Sequence, residues 1–295
     1  MRFLIPSYDR ADTIQTPRWL VQEIGVAAET IQIGVQGEDQ LAAYQGSSMI
    51  PTGCRFLMNH AHNPAGNRNA LMEANDGELC LILDDDIRGL SARNQFLEKT
   101  DDPAPHRGTG VRQRLLTVAG FFDLMLQWCA ILRSGASMVT VNMTDNSGHL
   151  ARLDYAGRFL CGVPLVSQVM MLVCSDSIRF DESYDMVEDT ELGARMYRDG
   201  QWIVRDTGIC PRTTNRQLCI GGDHARISGG ITHLVMNRSR DQQRLCQQYP
   251  DIIGPVPSGS MNVRFRPRRR TWSEYENDMK PVPAYFQQSR RGNKK

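Results

Sequence analysis

Apolar residues along this chain come in short blocks separated by polar stretches that hold most of the Gly, Pro, Asn and Asp. Phe3-Leu4-Ile5, Thr30 to Val35 and Leu79 to Leu83 read as strands. Between them, Thr16 to Ile24, with Pro17 at an early position, and Asn67 to Glu73 are spaced as helices. Strands alternating with short helices predict right-handed βαβ units and an α/β, doubly wound, mostly parallel sheet flanked by helices. The block Leu79-Cys80-Leu81-Ile82-Leu83 is uninterrupted, which predicts a central parallel strand buried on both faces.

Further on, Val111 to Arg133 predicts a long amphipathic helix whose Leu115, Leu116, Val118, Phe121, Phe122, Leu126 and Trp128 face the core. Ser137 to Met143, Leu165 to Cys174 and Trp202 to Val204 read as strands, and Glu188 to Arg198 as a helix ending at Gly200. Residues 94–112 are polar and rich in breakers, which predicts a mobile loop beside the acidic site. Beyond about Thr207 the pattern loosens into Gly- and Pro-rich segments, and no internal repeat is visible.

Composition narrows the class. The 295 residues, 41% hydrophobic, suffice for one large α/β domain or two small ones. No block approaches the roughly 18 apolar residues of a membrane span, and the chain enters a strand at Arg2 to Pro6, so a cytoplasmic protein is expected. The eight cysteines are scattered, without CxxC or Cys/His zinc spacing, and read as reduced thiols. The net charge of +1 hides an asymmetry: residues 261–295 hold ten Lys/Arg against three acids. A basic tail on an acidic body points to an anionic partner, nucleic acid above all, or to a solvated tail.

Three consecutive aspartates, Asp84-Asp85-Asp86, follow the third strand. They stand at the carboxyl edge of the sheet, where open α/β sheets bind ligands. Three like charges at one strand end repel, and a hard divalent ion holding a phosphate relieves them. Alternation places Asp84 and Asp86 on one side and Asp85 on the other, with Asp86 the foremost metal ligand and Asp84 nearer a ribose. A second acidic group, Glu188-Asp189-Thr190-Glu191, opens a helix, where the dipole and free N–H groups favour anions, and such a carboxylate can act as a general base. Capping plus a Glu191–Arg195 pair accounts for those two residues without catalysis.

Taken together, these segments resemble a GT-A-type glycosyltransferase of the large inverting family. Ile5-Pro6-Ser7-Tyr8-Asp9-Arg10 is similar to its opening strand and nucleotide loop, and Asn67-Arg68-Asn69-Ala70 to its donor-contacting helix. Asp84-Asp85-Asp86 is similar to its DXD motif, and Phe180-Asp181-Glu182 through Leu192 to its acceptor-side acid motif. The resemblance implies a core at 1–206, with a nucleotide-sugar half at 1–90 and an acceptor half at 111–206, then an active-site segment at 207–260 and a basic, irregular extension at 261–295. It implies Mn²⁺ or Mg²⁺ on Asp86 and Asp84, nucleotide contacts from Arg10, Arg68, Asp84 and Asp85, Asp189 as base and Glu188 as its orienting neighbour. Glu38 or Asp39 would meet the base edge, unless they are simply polar turn residues. His224, among glycines, is the expected histidine ligand and His233 the second choice; His60 and His62 read as structural or acceptor-side residues.

The compact chain with its basic run Arg264-Phe265-Arg266-Pro267-Arg268-Arg269-Arg270-Thr271-Trp272 also resembles the TET/JBP-associated glycosyltransferases of bacteriophages. That implies transfer from a UDP-sugar, UDP-glucose or a relative, to 5-hydroxymethylpyrimidine in DNA, 5-hydroxymethylcytosine in particular. The competing readings are transfer to a glycan, lipid carrier or protein; a nuclease with Asp84, Asp86, Glu188 and Asp189 on two ions; and an inert nucleic-acid-binding module.

Overall fold

The computed structural model describes residues 1–93, 113–142, 158–161, 166, 168–185, 187–213, 230–254 and 264–265. The first half is β1 (Arg2–Pro6), α1 (Thr16–Arg18, continued as a π-turn over Trp19–Ile24), β2 (Ile31–Gln36), α2 (Glu38–Gly46), β3 (Arg55–Asn59), α3 (Pro64–Glu73) and β4 (Leu79–Leu83). Then come β5 (Ile87–Arg93), β6 (Gln113–Leu115), α4 (Val118–Arg133), β7 (Met138–Val141), β8 (Phe159–Cys161) and β9 (Val169–Val173). The rest is α5 (Glu188–Arg198), β10 (Ile203–Asp206), β11 (Ile209–Thr213), α6 (Gly230–Gln248), β12 (Ile253–Gly254) and β13 (Arg264–Phe265).

Eight strands form the main sheet in the order β3-β2-β1-β4-β9-β7-β10-β8. Four neighbouring pairs are parallel, whereas β9 runs antiparallel to both β4 and β7, and β8 antiparallel to β10. The expected central strand β4 is therefore parallel to β1 on one edge and antiparallel to β9 on the other. Its side chains are buried on both faces. Leu81 and Leu83 pack with Trp19, Leu20 and Phe121, and Cys80 and Ile82 with Ala65, Leu71 and Met72 of α3.

Three departures from the sequence pattern have physical causes. The predicted helix from Val111 starts at Val118, because Thr117 caps it by accepting from the Gly120 N–H at 3.1 Å, and Gln113–Leu115 pairs with β5 instead. On that helix Phe121 and Trp128 are buried, but Val118 (46% exposed), Phe122 (43%) and Leu126 (70%) lie four residues apart on the outer face, with Leu115 exposed before it. Finally, α2, β3, β11 and the 19-residue α6 are regular where no element was expected. The buried side of α6 presents Asp241 and Gln242 beside Leu245, so an apolar period is absent from its sequence.

Cys80, Cys161 and Cys174 are buried thiols. No helix among the described residues is long and apolar enough to cross a membrane. The loop at 94–112 lies outside the described residues.

Gly34 in β2 is required by close packing, since a Cβ there would collide with Asn67 Oδ1 and stand 2.9 Å from Leu71 Cδ1. Both neighbours are buried on α3, so relief would displace the helix that carries Arg68. Gly34→Ala should lower unfolding free energy by about 1–3 kcal/mol in urea titration; unchanged stability would refute this account.

Candidate active site

The triple aspartate emerges where β4 stops, and its first two side chains keep the strand's alternation. Asp84 falls on the α3 side and accepts Arg68 Nη2 at 3.1 Å. Asp85 falls on the opposite side, 5% exposed, where Oδ2 accepts the Ser7 hydroxyl at 2.5 Å and Oδ1 accepts Arg10 Nη1 at 2.5 Å. Ser7 Oγ also lies 2.6 Å from the Tyr44 hydroxyl. Because serine's one proton goes to Asp85, Tyr44 donates to Ser7 and in turn accepts the Arg10 N–H at 3.0 Å. The result is a closed ring, Arg10 N–H to Tyr44 to Ser7 to Asp85 and back to the Arg10 guanidinium. Burial pushes the Tyr44 hydroxyl up to about 12, which keeps it a donor. Burial also raises the Asp85 carboxyl, against the opposing pull of Arg10 and Ser7.

Asp85, expected among the nucleotide contacts, is thus an internal acceptor that shapes the loop after β1. Arg10 is committed to it and would have to leave Asp85 to reach a diphosphate. Asp86 is buried at 8% exposure. The main chain around the aspartates is tied to α1, since Thr16 Oγ1 donates to the Asp84 carbonyl at 2.5 Å and accepts the Ile87 N–H at 2.9 Å. Glu38 and Asp39 are exposed in the first turn of α2, and His60 and His62 are exposed near the end of β3.

Three consecutive residues of α3 organise the centre. Asn67 Nδ2 donates to the carbonyls of Ser7 (3.2 Å) and Gly34 (3.0 Å), while its Oδ1 accepts Asn59 Nδ2 at 2.9 Å, so one amide joins the carboxyl ends of β1, β2 and β3. Asn69 exchanges two hydrogen bonds with the Phe180 backbone, at 2.9 and 2.8 Å, docking the segment before α5. Between them Arg68 spans from Asp84 to Glu188, with Nη1 2.5 Å from Glu188 Oε1 and its guanidinium 5.3 Å from the Phe180 ring centroid. Burial alone would loosen Arg68's hold on its proton, but Asp84, Glu188 and Asp189 reverse that and hold it above the ordinary value.

Asp189, half-buried in the first turn of α5, accepts the Thr190 N–H at 2.6 Å and its hydroxyl at 3.1 Å, both on Oδ1. Oδ2 accepts no hydrogen bond among the described residues. Burial raises the Asp189 carboxyl, with the charges of Arg68 and Arg238 pulling the other way. The helix beneath is fixed by Glu191, which accepts Arg195 Nε at 3.0 Å, as its spacing predicted, and the Tyr249 hydroxyl at 2.6 Å. Tyr249, Leu245, Ile252 and Ile253 pack with Tyr184, Val187 and Ala194. Sequence reasoning missed Ser7 and Tyr44 as a pair, Arg238 and Tyr249; only Tyr249, an aromatic after a polar run, carried a signal.

Among the described residues no group of three or more His, Cys, Asp and Glu side chains is arranged around a common metal position. His224 lies outside the described residues, and of His233 only the helical backbone is described. The arrangement argues against the two-ion nuclease, because Arg68 already occupies the space between Asp84 and Glu188. Asp84 and Asp86, hard oxygen donors one residue apart, do fit a Mg²⁺- or Mn²⁺-type ion that takes its other ligands from phosphate and water.

No protein-family model matches this chain, and no curated protein matches it in sequence. Among solved structures it is similar to the mannosyltransferase PcManGT from Pyrobaculum calidifontis in complex with GDP-Man and Mn²⁺, at 12% identity and a TM-score of 0.51. That match covers 87% of this chain and 65% of the other, so the chain spans just under two thirds of that enzyme's length. It is also similar to glucosyl-3-phosphoglycerate synthase from Mycobacterium tuberculosis in complex with Mg²⁺ and UDP, at 13% identity over 92% of this chain and 86% of the other, TM-score 0.43. A third is S. aureus TarS 1-349 in complex with UDP, at 12% identity over 85% and 72%, TM-score 0.40. The first of these establishes the fold class: a GT-A-type α/β fold with a mostly parallel sheet flanked by helices.

Removing Arg68 leaves Asp84 and Glu188 facing each other without a cation. Arg68→Ala should cost about 3–5 kcal/mol of unfolding free energy, and Arg68→Lys should restore part of it, in urea titrations at neutral pH. Equal stability of Arg68→Ala and the parent would show that the bridge is dispensable.

Proposed function

We propose that this chain is a metal-dependent, inverting glycosyltransferase that moves a sugar from a nucleotide-sugar, a UDP-sugar, to 5-hydroxymethylpyrimidine in phage DNA, with 5-hydroxymethylcytosine as the acceptor base. The observation that carries the reading is the Arg68 bridge, which holds the DXD-like carboxylates and the acid-motif helix within the span of one guanidinium.

In this reading Asp86 and Asp84 would hold Mn²⁺ or Mg²⁺, with His224 completing the set. The ion, when bound, supplies positive charge that neutralises the leaving diphosphate. Glu188, held by Arg68, fixes the start of α5. Asp189 takes the proton of the acceptor hydroxyl through Oδ2 as that oxygen attacks the anomeric carbon from the face opposite the diphosphate, breaking the bond to it and inverting the centre. Arg10, on leaving Asp85, and Arg68 would contact the diphosphate, Asp84 would lie nearer the ribose, Asp85 would shape the nucleotide loop through Ser7, and Glu38 or Asp39 would meet the base.

The basic run supports DNA as acceptor. It starts at β13, where Phe265 pairs with Ile253, itself packed in the cluster beneath α5. Arginines interleaved with aromatics suit phosphate neutralisation and base stacking.

Incubating the protein with UDP-glucose, Mn²⁺ and hydroxymethylcytosine DNA should add one hexose mass to the digested nucleoside. No increment with any common nucleotide-sugar would sink the proposal. Replacing Arg268, Arg269 and Arg270 by alanine should abolish transfer to DNA; retention would favour a glycan, lipid or protein acceptor. Asp189→Asn should lower turnover about 10²–10⁴-fold with donor affinity intact. Only ionised Asp189 accepts a proton, and burial raises its pKa, so turnover should climb with pH through a limb above the ordinary carboxylate range. Asparagine should erase that limb, and a limb that persists would assign the base elsewhere.

A further inference from the structure

The outer face of α4 carries Val118, Phe122, Leu126 and Cys129 at spacings of three and four residues, so the four line one side of the helix. Of the seven large apolar side chains exposed among the described residues, Val118, Phe122 and Leu126 lie here, and Leu126 is the most exposed of all seven. At the C-terminal end of this face the helix borders an open cavity of about 460 Å³, lined by Cys129 and Leu132 of α4 and by Leu79, Val173 and Ile178 beside it. Val173 is another of the seven, so four of them belong to one strip of surface. Leu79 opens β4 and Asp84 follows its last residue, which puts the cavity at the opposite end of the strand from the candidate active site.

Single exposed apolar residues are ordinary, but a contiguous strip marks a contact. Two charges on the strip say with what. Asp123 is exposed beside Phe122, Arg133 is exposed at the last position of the helix and lines the cavity, and neither has a hydrogen bond or ion pair among the described residues. They stand about 15 Å apart along the helix axis, with the apolar residues between. An acid toward one end, a base at the other and an apolar middle make a face complementary to itself run in the opposite direction. A second copy turned end for end, about a two-fold axis crossing the face between Leu126 and Ala130, sets Asp123 against Arg133 twice and Leu126 against Ala130. It also carries Phe122 to the cavity, and since roughly 150 Å³ is room for a benzene ring, that side chain fits. Antiparallel helices further set each positive end beside a negative one, whereas a parallel copy would oppose Asp123 to Asp123.

We propose that the outer face of α4 binds a second copy of this chain as an antiparallel, two-fold pair, with Phe122 of each protomer seated in the other's cavity and Asp123 paired with the partner's Arg133. The contact lies away from the candidate active site and does not depend on which reaction that site performs.

The test is sedimentation velocity of the full chain from about 1 to 100 µM, the range in which a small interface associates. The wild type should pass from monomer to dimer across it. Leu126→Glu should stay monomeric throughout, with the unfolding midpoint of the dilute chain unchanged, because a side chain this exposed supports little within its own protomer. Asp123→Arg and Arg133→Asp each set like charges against one another and should weaken self-association at least about tenfold. Mixing those two variants restores opposite charges at both contacts and should give a heterodimer as tight as the wild-type pair. A wild-type chain that remains monomeric at the highest concentration would overturn the proposal, as would a Leu126→Glu chain that dimerises like the wild type. Folded single-charge variants that fail to associate when mixed would overturn it as well.

Discussion

One buried guanidinium joins the two halves of this fold. Arg68 reaches Asp84 at the end of β4 with one nitrogen and Glu188 at the start of α5 with another, while Phe180 covers its face. Each carboxylate taken alone would be an unfavourable buried or half-buried charge, and the arginine alone would be worse. Together they form a triad whose geometry fixes the distance between the strand end and the acid helix. Asp189 is placed by that distance, one residue past Glu188, and so is any chemistry it performs.

The surroundings keep the arginine in place. Asn67 and Asn69, on either side of it in sequence, spend their amides on backbone groups of β1, β2 and the segment at Phe180, so α3 cannot slide without breaking several buried hydrogen bonds. Gly34 lets that helix approach closely enough for the Asn67 contacts to form. On the other side of the sheet the ring through Arg10, Tyr44, Ser7 and Asp85 gives the loop after β1 one shape. The middle aspartate therefore serves the loop, while Asp84 turns to Arg68. Asp84 and Asp85 are tolerable side by side because they turn to opposite sides as the strand ends, each onto an arginine.

Legibility followed the kind of signal each element carries. β1, β2 and β4 are short apolar runs and α5 opens on acids, so their positions could be read directly, whereas α3 was expected from Asn67 and begins at Pro64 behind its Asn63 cap. α6 could not. Its buried face holds Asp241 and Gln242, and Asp241 stays inside by accepting the Asp185 N–H from 56 positions earlier. The outer face of α4 misled in the opposite sense, since Phe122 and Leu126 are apolar yet exposed. Local hydrophobicity reports what could be buried, and only the partner elements decide which face is.

By itself the sequence determined the alternating strands and helices, the carboxylates at the end of β4, the acids opening α5 and the basic character of the last segment. These are properties of residue type and near spacing, and they follow from propensity, charge repulsion and the helix dipole. The tertiary structure alone decided that Asp85 turns inward to Ser7 and Arg10, that Arg68 bridges Asp84 and Glu188, and that Tyr249 beyond α6 reaches Glu191. Those pairings join residues 75, 120 and 58 positions apart, and a contact at such separations depends on how the elements are ordered in space, which no local pattern encodes.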